Sequence, residues 1–259
     1  MFARLALLGL ALMSFAPAAE AQSALKTEYR ISLIGLPVGR ASFETRLSPT
    51  RYSVKGQLAS AGLAELVSST RGSSSVSGRI TGNRLLPERY RLQYTSDKKS
   101  WRADVRYRNG RAVSSDIAPP AQTPPPSDFI PVKPSQLASV VDPLGGLMIK
   151  PGSDPAAICR QPVPFYDGWS RLDLVLSPGD GEQDFQAEGF SGKAIACNAR
   201  IRPVSGYRTS SNGIKFLQER TIQLWFAPIG QSGIYAPVYV RIPTQVGPLT
   251  LTATRFAKP

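Results

Sequence analysis

From residue 27 onward, apolar and polar positions alternate over most of the chain. Tyr29, Ile31 and Leu33 alternate with Arg30 and Ser32, and Gly35-Leu36-Pro37-Val38-Gly39 supplies a turn. Ala41, Phe43, Thr45 and Leu47 resume the period, followed by Tyr52, Val54, Gly56 and Leu58. A period of two sends successive side chains to opposite faces of a strand, so these residues predict an antiparallel hairpin that continues into a meander. Leu63, Leu66 and Val67 fall on one side of residues 59–68 and predict a short helical turn. Residues 70–81 are small and polar yet keep Val76 and Ile80, which fits a strand closely approached by other backbone. Two more strands follow: Pro87, Tyr90, Leu92 and Tyr94, then, past Asp97-Lys98-Lys99-Ser100, Trp101, Ala103, Val105 and Tyr107. Asn109-Gly110 is the sharpest hairpin signal, because a type I′ turn needs both central residues at positive φ.

The alternation stops at residues 117–134, where seven prolines predict an extended surface crossover. Leu137, Val140, Val141 and Leu144 then recur at helical spacing behind Ser135, which predicts a short helix at about 136–144, ended by Pro143 and Gly145-Gly146. Strands return after Cys159. Phe165 precedes a turn at Asp167-Gly168, and Leu172, Leu174 and Leu176 run up to a second predicted turn at Pro178-Gly179-Asp180-Gly181. Phe185 and Ala187 mark the return strand, and Ala194, Ala196 and Cys197 the next. Ile222, Leu224 and Phe226 share a face opposite Trp225, and Tyr235 to Ile242 and Leu249 to Ala253 close the chain. The expected fold is mainly β: a strongly bent antiparallel sheet, an open barrel or β-spiral, with one short helix, in a single domain over residues 22–259.

Composition adds an address and a surface. Arg4, the uncharged run from Leu5 to Phe15, and Ala19-Glu20-Ala21 form a cleavable signal peptide over residues 1–21. Its apolar run is too short to cross a bilayer, which needs roughly 20 residues. The chain has 22 glycines and 23 prolines, the turn-rich habit of a β protein. A net charge of +13 is spread along it, and Arg71, Arg79, Arg84, Arg89, Arg91, Lys98, Lys99, Arg102, Arg106, Arg108 and Arg111 dominate the first half. On alternating strands many of these form the solvated face of a sheet. Read as a partner surface, they suit an anionic lipid or an envelope glycan. Export and the lack of a nucleic-acid-binding motif argue against nucleic acid.

Candidate chemistry is sparse. The chain contains no histidine, which removes a Ser-His-Asp triad. Cys159 and Cys197, the only cysteines, lie 38 positions apart and without Cys-x-x-Cys spacing, so in an exported chain they read as a disulfide. Ser96-Asp97-Lys98-Lys99 matches S-x-x-K but sits in a predicted turn. Asp180, Glu182, Asp184 and Glu188 form the densest acidic cluster, read as a solvated hairpin tip rather than a calcium loop. No residue is assigned to catalysis, to a metal or to a cofactor. For a small-molecule groove, Tyr90, Tyr94, Trp101, Tyr107 and Trp225 are the candidate lining residues, with core packing as the alternative.

Tyr29 with Gly35-Leu36-Pro37-Val38-Gly39, then Asp142-Pro143-Leu144, then Phe165-Tyr166-Asp167-Gly168, Leu224-Trp225-Phe226 and Pro237-Val238 occur in an order and spacing that resemble the bacterial periplasmic family known as domain of unknown function 3108. More distantly, the chain is similar to alphaproteobacterial periplasmic proteins of the envelope-integrity type. That resemblance implies an open spiral sheet pinned by a disulfide, a place in the Gram-negative periplasm and no catalytic residue to carry over. The expected function is a structural or binding protein that supports the cell envelope, with an anionic lipid, a glycan or another envelope protein as partner. The alternatives are a carrier or sensor of an apolar ligand held in the sheet, and a glycan-processing enzyme built on two carboxylates.

Overall fold

The computed structural model describes residues 23–62, residue 65 and residues 69–259. The predicted signal peptide, and most of the helical turn expected over 59–68, lie outside the described residues. Among the described residues fifteen strands dominate: β1 Ser23–Leu33, β2 Leu36–Leu47, β3 Arg51–Ser60, β4 Thr70–Thr81, β5 Arg84–Ser96, β6 Lys99–Arg108, β7 Arg111–Ala118, β8 Phe129–Ile130, β9 Pro162–Tyr166, β10 Arg171–Ala187, β11 Phe190–Ser205, β12 Tyr207–Arg208, β13 Ile222–Pro228, β14 Tyr235–Thr244 and β15 Gly247–Ala257. An α-helix, α1, spans Asn212–Gln218. Among the described residues no helix is long and apolar enough to cross a membrane.

Thirteen strands form one sheet in the order β7-β6-β5-β4-β3-β2-β1-β15-β14-β13-β11-β10-β9. The first and last strands are therefore neighbours at its middle, with Tyr29 opposite Ala253. The alternation read from the sequence governs the faces: Leu25, Thr27, Tyr29 and Ile31 are buried, and Arg30 is exposed. The expected hairpin at Asn109-Gly110 is present, with φ of 51° and 77°.

The sheet bends until β9 comes up to β6 and β7, but these edges do not pair by backbone. Side chains and a separate strip of chain close the seam. Tyr107 donates its hydroxyl to the carbonyl of Tyr166 at 2.7 Å, and the Ser115 and Tyr166 hydroxyls meet at 2.8 Å. Val140 N–H donates to the Gly110 carbonyl, Val141 N–H to Pro164 and Tyr166 N–H to Val141, each at 2.9 Å. The strip then turns inward, and Ile149 pairs with Tyr235 at the start of β14. Val140, Asp142, Gly145, Gly146 and Met148 are all buried, so the sheet is closed and filled by its own chain.

That strip corrects the expected helix at 136–144. A 3-10 turn covers only Pro134–Leu137, and Ser139 has a positive φ of 56°. The apolar spacing is real, but the backbone of Val140 is spent on the β6–β7 turn and that of Val141 on β9, and Pro143 follows. An α-helix is found further on at α1, capped by the Ser211 hydroxyl, which accepts from Ile214 N–H at 3.4 Å. The turn expected at Pro178–Gly181 is a β-bulge inside β10: Pro178 opposes Cys197 and Gly181 opposes Ala196. The chain reverses later, at Glu188-Gly189. Strand β7 runs through Ala118, so the crossover begins later than expected. Within it β8 pairs with β12, and Asp128 accepts from Arg208 at 2.9 Å.

Candidate functional site

Two places in this sheet carry unsatisfied polar chemistry. The first lies inside, around Asp142, which is fully buried. Its Oδ1 accepts from Leu144 N–H at 2.9 Å and from Gly145 N–H at 2.8 Å, a local turn that aspartate forms readily. Its Oδ2 and the hydroxyl of buried Tyr52 have no hydrogen-bond partner among the described residues. Both atoms lie 2.8 Å from the position a Cβ would take on Gly145, so the glycine leaves them room. Among the described residues no cation pairs with the carboxyl, and burial pushes its pKa up to about 6 despite the backbone donors. Burial and the nearby Asp142 charge push the hydroxyls of Tyr52, Tyr90 and Tyr107 far above the usual tyrosine range. Asp167 follows the same plan, its Oδ1 accepting from Trp169 N–H at 2.9 Å and Ser170 N–H at 2.7 Å, with its pKa raised by burial. Beside this polar nest, an apolar space of about 130 Å³ remains between Tyr29, Phe43, Leu144 and Leu147.

The second place is on the outward face, where β1 to β5 form a trough with a concavity of about 980 Å³. Register builds it. Arg30 opposes Arg40, Arg40 opposes Ala59, Ala59 opposes Arg71 and Arg71 opposes Thr95. One row along, Ser42 opposes Gln57, Gln57 opposes Ser73 and Ser73 opposes Gln93. A second concavity of about 650 Å³ continues from that neutral row and shares all four of its residues. Three of its four basic side chains are paired: Lys26 with Glu28 at 3.0 Å, Arg91 with Asp104 at 3.5 Å and Arg102 with Asp116 at 3.4 Å, while the fourth, Lys55, stands opposite Glu44 across β2 and β3. The Arg89 guanidinium also holds Asp104 below the usual carboxylate range. Arg30, Arg40 and Arg71 have no ion pair among the described residues.

The five aromatic residues singled out as groove candidates do not converge. Tyr90 and Tyr107 are buried near Asp142. Tyr94 stacks on Trp101 at 4.6 Å and 9° between planes. Trp225 packs 4.8 Å from Tyr239 and edge-on to Phe185. Of the five, only Tyr94 borders the trough. Cys159 and Cys197 are joined in a disulfide within a second apolar cluster that includes Ile158, Leu174, Leu224 and Phe226. The acidic residues Asp180, Glu182 and Asp184 lie exposed along β10 rather than at a hairpin tip, and among the described residues no group of three acidic or thiol side chains is placed to hold a metal ion. Arg30 and Arg40 escaped the sequence reading, because each looks like an ordinary outward residue between buried neighbours. Only the β1–β2 register sets them side by side.

Similarity to known proteins matches this architecture. The chain is similar to the crystal structure of a beta-barrel-like protein of domain of unknown function DUF1849 from Brucella abortus, with a TM-score of 0.59 and 10% sequence identity over 93% of this chain and 100% of that one. At that identity the likeness speaks to the fold alone. No curated protein matches the chain. Residues 28–254 match the family described as "Protein of unknown function (DUF3108)", and the chain belongs to that family.

Proposed function

We propose that this chain is a non-catalytic binding protein of the periplasm that supports the cell envelope through the outward face of its sheet. The observation that carries this reading is the contrast between inside and outside. Small-molecule sites measure about 300–1,000 Å³. The interior is filled by its own residues around 142–148, and the apolar space beside them measures about 130 Å³, whereas the outward trough offers about 980 Å³. A catalytic carboxyl pair needs an acid of raised pKa beside its partner in an open cleft. The carboxyls pushed upward among the described residues are Asp142 and Asp167, each tied to backbone N–H groups away from the trough.

The apolar lining of the interior space favours one second reading, carriage of an apolar ligand, which requires the strip around Leu144 and Leu147 to swing out. Deletion of the gene, followed by detergent, β-lactam and low-salt challenge, separates these readings from a dispensable role. Sensitivity restored by the wild-type chain is the expected result, and unchanged resistance across the panel contradicts it. Retention of lipid by gently purified protein in native mass spectrometry would shift the account to the carrier.

A further inference from the structure

The trough carries a charge pattern that its fold does not use. Arg30 and Arg40 stand directly opposite each other on β1 and β2, and like charges in that position destabilise a sheet. Arg71 is two strands beyond Arg40 in the same row, with Ala59 between them. At about 4.8 Å between strands, that spacing lets long guanidinium side chains converge over the short alanine. Arginine's planar fork binds carboxylate and phosphate in paired hydrogen bonds. The adjacent concavity differs, since its Lys26, Arg91 and Arg102 are each matched by an acid and its Lys55 stands opposite Glu44; Glu28, the acid that lines the trough itself, is the one paired with Lys26.

The row beside the arginines has another chemistry. Ser42, Gln57, Ser73 and Gln93 alternate hydroxyl and amide groups that both donate and accept, and none has a side-chain hydrogen-bond partner among the described residues. Both concavities share this row, so the trough is continuous. A flat bilayer does not enter a recess of this shape, whereas a narrow polar chain does. We propose that the trough binds an acidic oligosaccharide: Arg30, Arg40 and Arg71 receive its carboxylate or phosphate, and the serine–glutamine row receives its hydroxyls. This assignment rests on the reading that the outward face carries the function.

The test uses the mature chain with hexagalacturonate, phosphorylated maltohexaose, plain maltohexaose and phosphatidylglycerol vesicles. At least one acidic saccharide binds, more weakly as salt rises, and better than plain maltohexaose. Arg40→Gln and Arg71→Gln each weaken binding about tenfold, the loss of one charge-assisted hydrogen bond. Arg40→Gln leaves the thermal midpoint unchanged or raises it, because a like-charge pair is removed. Lys98→Gln with Lys99→Gln, at the β5–β6 turn, leaves affinity intact. The proposal is overturned if neither acidic saccharide binds, if vesicles compete more strongly than saccharide, or if the lysine changes cost as much as the arginine changes. If saccharide binding is absent but the arginine variants still fail to rescue a deletion strain, the ligand assignment falls and the outward-face reading stands. If those variants rescue fully, both fall.

Discussion

Replacing Cys159 and Cys197 together by serine lowers the stability of the protein by about 4 kcal/mol, the loop-closure value for a ring of this size. The disulfide spans 38 positions and joins the 3-10 turn Pro155–Arg160 to β11, with its two Cα atoms 5.3 Å apart. The turn has little else to hold it: Asp154 caps Ala156 N–H at 2.9 Å and pairs with Arg160 at the surface. Ile158 is nevertheless fully buried against the second apolar cluster, so freeing the turn also loosens that packing. Urea denaturation of wild-type and double-serine protein measures the difference. A loss below about 1 kcal/mol would mean that packing alone fixes the turn and that the cross-link does not govern the unfolded chain. Binding at the trough is expected to survive the change, because among the described residues none that lines the trough belongs to the disulfide cluster.

The second large effect is set by Asp142. Its pKa rises from 3.8 in the unfolded chain to about 6 in the folded one. A carboxyl that is easier to protonate when folded contributes most to stability below about pH 4, and that contribution is lost as pH rises through about 6. The difference of about two pH units corresponds to about 3 kcal/mol. Asp142→Asn removes the buried charge while its carbonyl still accepts from Leu144 and Gly145, and its amide reaches toward the unpartnered Tyr52 hydroxyl. The variant is expected to gain about 3 kcal/mol on the wild type between pH 4 and pH 7.5. Comparing the two at each pH isolates this group from Asp104 and Asp128, whose lowered pKa values work in the opposite direction. A constant offset between the two curves would contradict the assignment.

Much of the sheet is legible as alternation. Tyr29, Ala41, Val54 and Tyr90 each point inward at the positions their period indicates, and Asn109-Gly110 forms its turn because both residues accept positive φ. The errors share a cause. Leu137, Val140, Val141 and Leu144 carry a helical spacing, yet the N–H groups of Val140 and Val141 donate to Gly110 and Pro164, which are remote in the chain and override local preference. Pro178-Gly179-Asp180-Gly181 has turn composition, but the strand-length match of β10 and β11 turns it into a bulge. The trough was hidden for the same reason. Arg30, Arg40 and Arg71 belong to three strands, and a row across a sheet has no signature along any one of them. Asp142 could be read as a turn former, but its burial depends on the closed seam.

The chain fills its own interior, and ligand is expected on the outward face. Hydrogen–deuterium exchange with and without a saturating acidic saccharide distinguishes the two places. Slowed exchange is expected in residues 39–42, 57–59, 71–73 and 93–95, where the trough residues sit on β2 to β5, with no change at residues 143–148 inside the sheet. Protection confined to residues 143–148, with the four strand segments unaffected, would contradict binding on the outward face.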